Sequence, residues 1–155
     1  MAKALIDTPI GALTVLANDI GVCRVWFGDL NEDVTGTSVA DANLAVALAQ
    51  LNEYFDGERT SFDVAIDRSA RSGFRGEVLN ALEGVPFGQT ITYGDLAERA
   101  GRPKAARAVG SAMATNPIAI IVPCHRVLPS GGGVGQFGGG VRAKEWLLRR
   151  EGTLD

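Results

Sequence analysis

The residues best suited to chemistry in this chain lie in one heptapeptide, Ile121-Val-Pro-Cys-His-Arg-Val127. It contains the only histidine, His125, and one of only two cysteines, Cys124. A thiolate is a strong nucleophile, and a neighbouring imidazole is the usual base that generates one near neutral pH. The apolar run 118–122 predicts a strand that leads Cys124 into a turn stiffened by Pro123. The alternative is a buried structural cysteine beside a satisfied histidine, because adjacency in sequence does not bring two side chains into contact.

This peptide resembles the active-site motif of the O6-alkylguanine-DNA alkyltransferases, repair proteins that move an alkyl group from guanine onto their own cysteine. The resemblance continues, in the family's order and spacing, over roughly residues 72–152. The matching segments are Tyr93-Gly-Asp-Leu-Ala, Gly101–Gly110, Asn116-Pro117, the glycine-rich stretch 131–140 and Lys144–Leu148. The N-terminal part is similar mainly at Thr8–Gly11 and Leu51–Gly57. Motif order over half of a chain is a specific signal.

The resemblance implies a catalytic role for five residues. Cys124 would be the alkyl acceptor, and His125 would draw its proton, through a water. A carboxylate should orient the imidazole, as in other nucleophile–base pairs. Residue types alone do not select that carboxylate among 18 acidic residues, and the resemblance selects Glu145. It also implies that Tyr93 donates a hydrogen bond to guanine N3, and that Asn116 braces the active-site turn and the link to the histidine.

The resemblance also implies a DNA-binding helix and a base pocket. Arg107 would enter the base stack in place of a flipped-out nucleotide, since O6 of guanine is out of reach inside a base pair. The other DNA-binding positions implied are Ala106, Ala108, Gly110 and Ser111. The pocket residues implied are Pro123, Val127, Phe137, Gly138 and Met113. The backbone oxygens at Cys124 and Val127 would accept from the guanine amino group, and the N–H of Gly138 would donate to O6.

Several positions depart from the family's usual pattern. Phe137 stands where a tyrosine is common, and Gly138 replaces a serine of some relatives, although its backbone donor remains. Residues 75–80 lack the Gln-Arg pair and the aromatic residue that relatives often carry. These last changes bear on phosphate contacts and DNA affinity rather than on the transfer chemistry.

Composition is that of an ordinary globular protein, with 46% hydrophobic and 21% charged residues in 155. No apolar run has membrane length and no secretory signal is recognisable, so the sequence predicts a cytoplasmic protein without membrane contact. In a reducing compartment Cys23 and Cys124 are not expected to pair. One histidine and two cysteines do not make a four-ligand zinc set, and the family reaction implies neither metal nor cofactor.

Charge is divided unequally along the chain. Residues 1–70 carry 4 Lys+Arg and 11 Asp+Glu, whereas residues 71–155 carry 11 and 7, so a half of net charge −7 precedes a half of net charge +4. This asymmetry predicts that only the second half meets a polyanion. Chance asymmetry is the alternative.

The first half, residues 1–70, predicts a small α+β domain. Strands are expected at 4–8, 13–18 and 21–27, the last two as a hairpin, with a further strand at 62–66. Leucine and phenylalanine spacing predicts a helix over 41–55. Cys23 is expected to pack in the core. The resemblance implies a ribonuclease-H-like fold for this domain, and the polar segment 67–73 is the expected linker.

The second half, residues 71–155, predicts a winged-helix-like domain with a helix-turn-helix. After a helix over 74–82, Thr92 should cap a helix that ends at Gly101, and Pro103 should begin a second helix that runs to about residue 114. Small residues make that helix slim, which suits either tight packing or contact with a nucleic-acid backbone. The resemblance implies docking in the minor groove. The seven glycines of 131–140 form either a flexible loop or a pocket wall, and a short helix is expected over 144–151.

The function expected is direct DNA repair by a single-turnover methyltransferase. Its partner is double-stranded DNA containing O6-alkylguanine, and the protein is expected to act as a monomer, with cooperative binding along DNA left open. Two alternatives remain: a non-catalytic protein that flags alkylated bases, against which Cys124 argues, and an alkylation-sensing regulator. A hydrolytic cysteine enzyme is disfavoured because nothing in the sequence suggests an oxyanion hole.

Overall fold

The computed structural model describes residues 1–32 and 34–155 as two compact units, Met1–Ala70 and Arg71–Asp155. The first unit is a three-stranded antiparallel meander, β1 (Ala2–Thr8), β2 (Gly11–Ala17) and β3 (Val22–Phe27), in the order β1-β2-β3. Helix α1 (Ser38–Phe55) packs on this sheet. The sheet and helix confirm the predicted elements to within a few residues, apart from an earlier helix start.

Local signals account for these elements. The Thr37 side chain accepts from the Ala40 N–H at 3.0 Å and so caps α1. The helix buries a leucine and aromatic face that includes Leu44, Leu51 and Tyr54. The predicted strand 62–66 is reduced to a single bridge between Val22 and Ile66. Cys23 is half-buried, with Sγ 3.5 Å from Met1 Sδ, so the expectation that it packs in the core is wrong.

The second unit contains α2 (Gly73–Leu82), β4 (Ile91–Thr92), α3 (Tyr93–Arg99), α4 (Ala106–Ala114), a 3₁₀ turn (Cys124–Arg126), β5 (Val127–Leu128) and α5 (Val141–Arg150). Strands β4 and β5 pair in parallel, which brings the start of α3 beside the segment that follows Cys124. Helices α2, α3 and α4 pack against one another around buried residues such as Leu79, Leu96 and Val109.

The helix-turn-helix is present, with one correction at its second helix. Thr92 caps α3 by accepting from the Asp95 N–H at 3.0 Å, and Gly101 ends it with φ +91°. Pro103 does not begin α4, which starts three residues later. The Ala105 N–H instead bonds the Arg102 oxygen at 3.0 Å. Proline is favoured at the second position of such a turn as well as at a helix start.

The apolar run 118–122 is buried, but it is not the predicted strand. Backbone bonds from Ile121 N to Ala119 O and from Val122 N to Ile118 O, both 2.9 Å, fold it into a tight turn. Ile120 adopts φ +74°, a conformation that is costly for a β-branched residue. The surrounding packing must therefore hold this turn in place. In the described residues, no helix is long and apolar enough to cross a membrane.

Candidate active site and nucleic-acid interface

Cys124 lines an open cleft of about 940 Å³ in the second unit. Its residue is 6% exposed, and its N–H bonds the Val122 oxygen at 2.9 Å. Burial raises the pKa of the thiol, although the Asn116 side chain and the charge of Lys144 act in the opposite direction. At rest Cys124 is therefore a thiol, and it requires a base to become a nucleophile.

Asn116 holds the turn that presents this cysteine. Its Nδ2 donates to the Val122 oxygen at 2.9 Å, and its Oδ1 accepts from the Ile118 N–H at 3.1 Å. The side chain thereby closes the 118–122 turn from both ends. The bracing role expected for Asn116 has this geometry in its favour.

The carboxylate against the imidazole is Glu151, which corrects the expectation of Glu145. The His125 Nε2 lies 2.8 Å from Glu151 Oε2, and both side chains are fully buried. Glu145 is instead 31% exposed and pairs with Arg149, four residues along α5, at 3.4 Å. Glu151 follows the last residue of α5, Arg150. A six-residue offset on a helix changes the face, so the two carboxylates cannot serve the same partner.

The other ring nitrogen of His125, Nδ1, is buried and has no hydrogen-bond partner among the described residues. Burial lowers the pKa of His125, against the raising effect of Glu151. A neutral imidazole that donates Nε2–H to the carboxylate keeps a lone pair on Nδ1. The arrangement is therefore a thiol followed in sequence by a neutral, oriented base.

Two buried cations, for which the sequence predicted no role, complete the site. The Arg126 guanidinium binds both oxygens of Glu151, Nε to Oε1 at 2.7 Å and Nη2 to Oε2 at 3.1 Å. The Lys144 Nζ donates to the Val127 oxygen at 2.7 Å and to the Gln136 oxygen at 3.3 Å. Burial lowers the pKa of Lys144 to about 8. The sequence offered no local signal for either residue, since Lys144 stands between Arg142 and Glu145 and Arg126 follows His125.

The cleft is bounded by α4, the start of α3 and the glycine-rich segment. Nine of the predicted site residues line it: Tyr93, Ala106, Arg107, Gly110, Ser111, Met113, Cys124, Phe137 and Gly138. Gly131, Gly135 and Gln136, from the stretch expected as a possible pocket wall, also line it. The lining residues without an expected role are Gly94, Ala114, Pro129 and Ser130. Burial raises the pKa of Tyr93, so its hydroxyl stays protonated and able to donate into the cleft.

Not every predicted pocket or helix residue lines this cleft. Pro123 and Val127 are buried and do not line it, and Ala108 is exposed outside it. The Val127 oxygen, expected to accept from a base, already accepts from Lys144. A carbonyl has a second lone pair, so this bond does not by itself prevent another.

The slim face of α4 points outward. A methyl group added at Gly110 would meet no atom within 4 Å, and Ala106, Ala108 and Ser111 are exposed. Tight packing against a neighbour, one of the two explanations of the small residues, is therefore not their cause at Gly110. The exposed cations Arg102, Lys104 and Arg107 lie on α4 or the turn before it, which favours contact with a polyanion.

Gly135 shows why the wall of the cleft needs glycine. It has φ +76°, and an added Cβ would lie 3.0 Å from Pro129 Cγ and 3.5 Å from the Tyr93 hydroxyl. Only glycine combines this backbone conformation with the close approach. This geometry favours the interpretation of the glycine-rich stretch as a pocket wall over its interpretation as a flexible loop.

Comparison with known proteins identifies the family. The 6-O-methylguanine DNA methyltransferase DNA-binding domain matches residues 73–153, and the ribonuclease-like domain of that methyltransferase matches residues 1–68. The chain belongs to the 6-O-methylguanine DNA methyltransferase family. These matches confirm the predicted family and the predicted fold class, a ribonuclease-like α+β domain followed by a DNA-binding domain.

Individual relatives support the same assignment. The chain is 42% identical over 148 residues to the methylated-DNA–protein-cysteine methyltransferase of Mycolicibacterium paratuberculosis, covering 94% of this chain and 89% of the relative. It is 40% identical over 156 residues to that of Methanosarcina acetivorans, covering 99% of both. A crystal structure of Mycobacterium tuberculosis OGT in complex with DNA superposes with a TM-score of 0.83 at 39% identity, covering 97% of this chain and 92% of that one.

Proposed function

We propose that this protein repairs DNA directly, by transferring an alkyl group from O6 of guanine to Cys124 as a methylated-DNA–protein-cysteine methyltransferase. The observation that carries the proposal is the position of Cys124, a buried thiol that borders a cleft formed by α4 and Tyr93. The family membership and the relatives' names support the same reaction.

The reaction balances without a co-reactant. His125 Nδ1 takes the thiol proton, directly or through one water, and the sulfur attacks the alkyl carbon. The S–C bond forms as the C–O6 bond breaks, and the electron pair leaves with the guanine. Tyr93 donates a hydrogen bond to the departing base, which then takes up the proton and leaves neutral. The product is a thioether, so each molecule acts once.

DNA is proposed to meet the outward face of α4. The minor groove is only about 6 Å wide, and the small side chains at Ala106, Gly110 and Ser111 would allow a close approach there. Arg107, exposed beside the cleft, would occupy the space left by the flipped nucleotide. We further propose that the protein acts as a monomer in the cytoplasm, without metal or cofactor.

Intact-protein mass spectrometry tests the transfer. Wild type is mixed with a duplex that carries O6-methylguanine, and the added mass of one CH₂ should map to Cys124. Cys124→Ala should gain nothing, whereas the matched control Cys23→Ala should be modified like wild type. An unchanged wild-type mass together with tight binding of the lesion would instead indicate a protein that recognises alkylated bases without repairing them.

A competition experiment tests the groove. A minor-groove ligand should displace the protein from DNA, and an agent confined to the major groove should not. Arg107→Ala should slow repair within the duplex more than it slows reaction with the free modified base, because the free base needs no flipping. Equal effects on the two substrates would contradict the role proposed for Arg107.

A further inference from the structure

Three hydrogen-bond donors converge on one buried carboxylate, Glu151. His125 Nε2 lies 2.8 Å from Oε2, while Arg126 reaches Oε1 through Nε at 2.7 Å and Oε2 through Nη2 at 3.1 Å. The remaining Arg126 nitrogen, Nη1, donates to the Val85 oxygen at 2.6 Å. The guanidinium is therefore fixed on both sides, and it shares with the imidazole a carboxylate that has no exposure to solvent.

The charges in this cluster balance only when the imidazole is neutral. Arg126 carries one positive charge, with a side chain 8% exposed, and Glu151 carries one negative charge. A proton added to His125 would leave the buried group with a net positive charge, which is costly away from water. The neutral imidazole still donates its Nε2–H to Oε2, and this donation selects one of the two tautomers.

We infer that Arg126 is a positioning residue that holds His125 neutral, with its proton on Nε2, by supplying the charge that balances Glu151. Without Arg126, the carboxylate would lose the cation that binds both of its oxygens, and the histidine would be drawn toward the protonated form. Arg126 does not line the cleft, so it acts through Glu151 and His125 rather than on a substrate.

Apart from Glu151, the ionisable groups near His125 act in the same direction as Arg126 or are neutral. Lys144, from α5, is positively charged and lowers the pKa of His125, as Arg126 does, whereas Glu151 raises it. Cys124 is the neighbouring residue in the chain and is a neutral thiol at rest because burial raises its pKa. Lys144 therefore adds to the effect of Arg126 in keeping the imidazole neutral.

The consequence for catalysis rests on the proposed function. A histidine that is already protonated cannot take the thiol proton, so the balance set by Arg126 keeps Nδ1 ready as the acceptor. Loss of Arg126 would then move the pH range of alkyl transfer upward, rather than only lowering the amount of folded protein. The charge state of His125 can be measured whether or not transfer occurs.

The single histidine makes the test direct, because a ¹⁵N-histidine-labelled sample contains one imidazole. In wild type, the two nitrogen shifts should report a neutral ring with the proton on Nε2 at pH 7, and the ring should titrate below the ordinary pKa of 6.5. In Arg126→Met, the titration midpoint should move upward by about one pH unit or more, since a neighbouring charge changes a pKa by roughly that amount. Arg126→Gln, which keeps a donor without the charge, should move it in the same direction.

Two further variants separate the electrostatic role from a structural one. Arg126→Met combined with Glu151→Gln should bring the midpoint back down, because the carboxylate that draws the proton is gone. The matched control Arg149→Met, at the exposed pair with Glu145, should leave the midpoint unchanged. A charged ring or an Nδ1–H tautomer in wild type at pH 7 would overturn the inference, and so would an unmoved midpoint in folded Arg126→Met or Arg126→Gln.

Alkyl-transfer rates measured against pH complete the experiment. The acid limb of the rate profile should shift upward in Arg126→Gln together with the nuclear magnetic resonance midpoint. If wild type transfers no alkyl group, the proposed function fails while the spectra still decide the role of Arg126. If transfer occurs but its acid limb stays in place as the midpoint moves, the catalytic consequence of the inference is refuted.

Discussion

Replacing Glu151 by glutamine removes the charge from the carboxylate that both His125 and Arg126 bind. Glutamine offers one oxygen where glutamate offers two, so its amide N–H₂ must face at least one of the three donors now 2.7–3.1 Å away. Removing one partner of a buried ion pair costs about 3–5 kcal/mol of stability. Because glutamine keeps one of the two oxygens, we expect a loss at the lower end of this range, about 3 kcal/mol. That is a large part of a typical folding free energy of about 5–15 kcal/mol.

The matched control is Glu145→Gln on the same helix. Its ion pair with Arg149 is exposed and four residues apart, a kind of pair that contributes only about 0.3–0.5 kcal/mol. Urea denaturation of the two variants should therefore separate them by more than about 2 kcal/mol. The rate of methyl transfer should fall about tenfold or more in Glu151→Gln, because a positioned base contributes about 10²–10⁴. Near-equal losses of stability, or a larger loss in Glu145→Gln, would refute the reasoning.

Three more predictions follow from the same site. Gly135→Ala should lose about 1–2 kcal/mol of stability from its left-handed backbone alone, and the added methyl should press on Pro129 and slow repair. Lys144→Met should cost about 1–3 kcal/mol, measured by urea denaturation, because the buried Val127 carbonyl loses its side-chain donor. Between pH 6.5 and 5.5 stability should fall by up to about 1.4 kcal/mol, because the unfolded chain protonates His125 while burial lowers its pKa in the folded protein.

Each of these predictions has a control. Gly131→Ala, where an added methyl meets nothing within 4 Å, should lose less stability and less activity than Gly135→Ala. Lys104→Met, at an exposed position, should be close to neutral beside Lys144→Met. His125→Gln should lack the part of the fall in stability that the imidazole causes. If stability falls by the same amount in that variant between pH 6.5 and 5.5, groups other than His125 cause the fall.

Local sequence signals predicted the elements well wherever a single residue type settles the backbone. Thr92 begins and Gly101 ends α3 as predicted, and the spacing of the leucines predicted the buried face of α1. The motif around Cys124 predicted the family, and the comparisons confirm it. The predictions were wrong where the same sequence suits two conformations. Pro103 fits a turn as well as a helix start, and the apolar run 118–122 is buried in a tight turn rather than in a strand.

The site was predicted less completely than the fold because its partners are distant in sequence. Glu145 and Glu151 are both acidic residues near the end of the chain, and only the rotation of α5 decides which one meets His125. The same holds for Arg126 and Lys144, because charged residues are expected from the sequence to lie at the surface. Their burial depends on partners at Glu151, Val127 and Gln136 that no local pattern reveals.

The raised pKa of the Cys124 thiol has a consequence for the lifetime of the protein between lesions. Peroxides and soft electrophiles react with thiolates far faster than with thiols, so a cysteine held protonated and 6% exposed is shielded from both. A protein whose cysteine can react only once would otherwise be inactivated by oxidation or alkylation before it met a lesion. The burial that makes Cys124 a poor nucleophile at rest thus keeps the protein unreacted until an alkylated guanine enters the cleft.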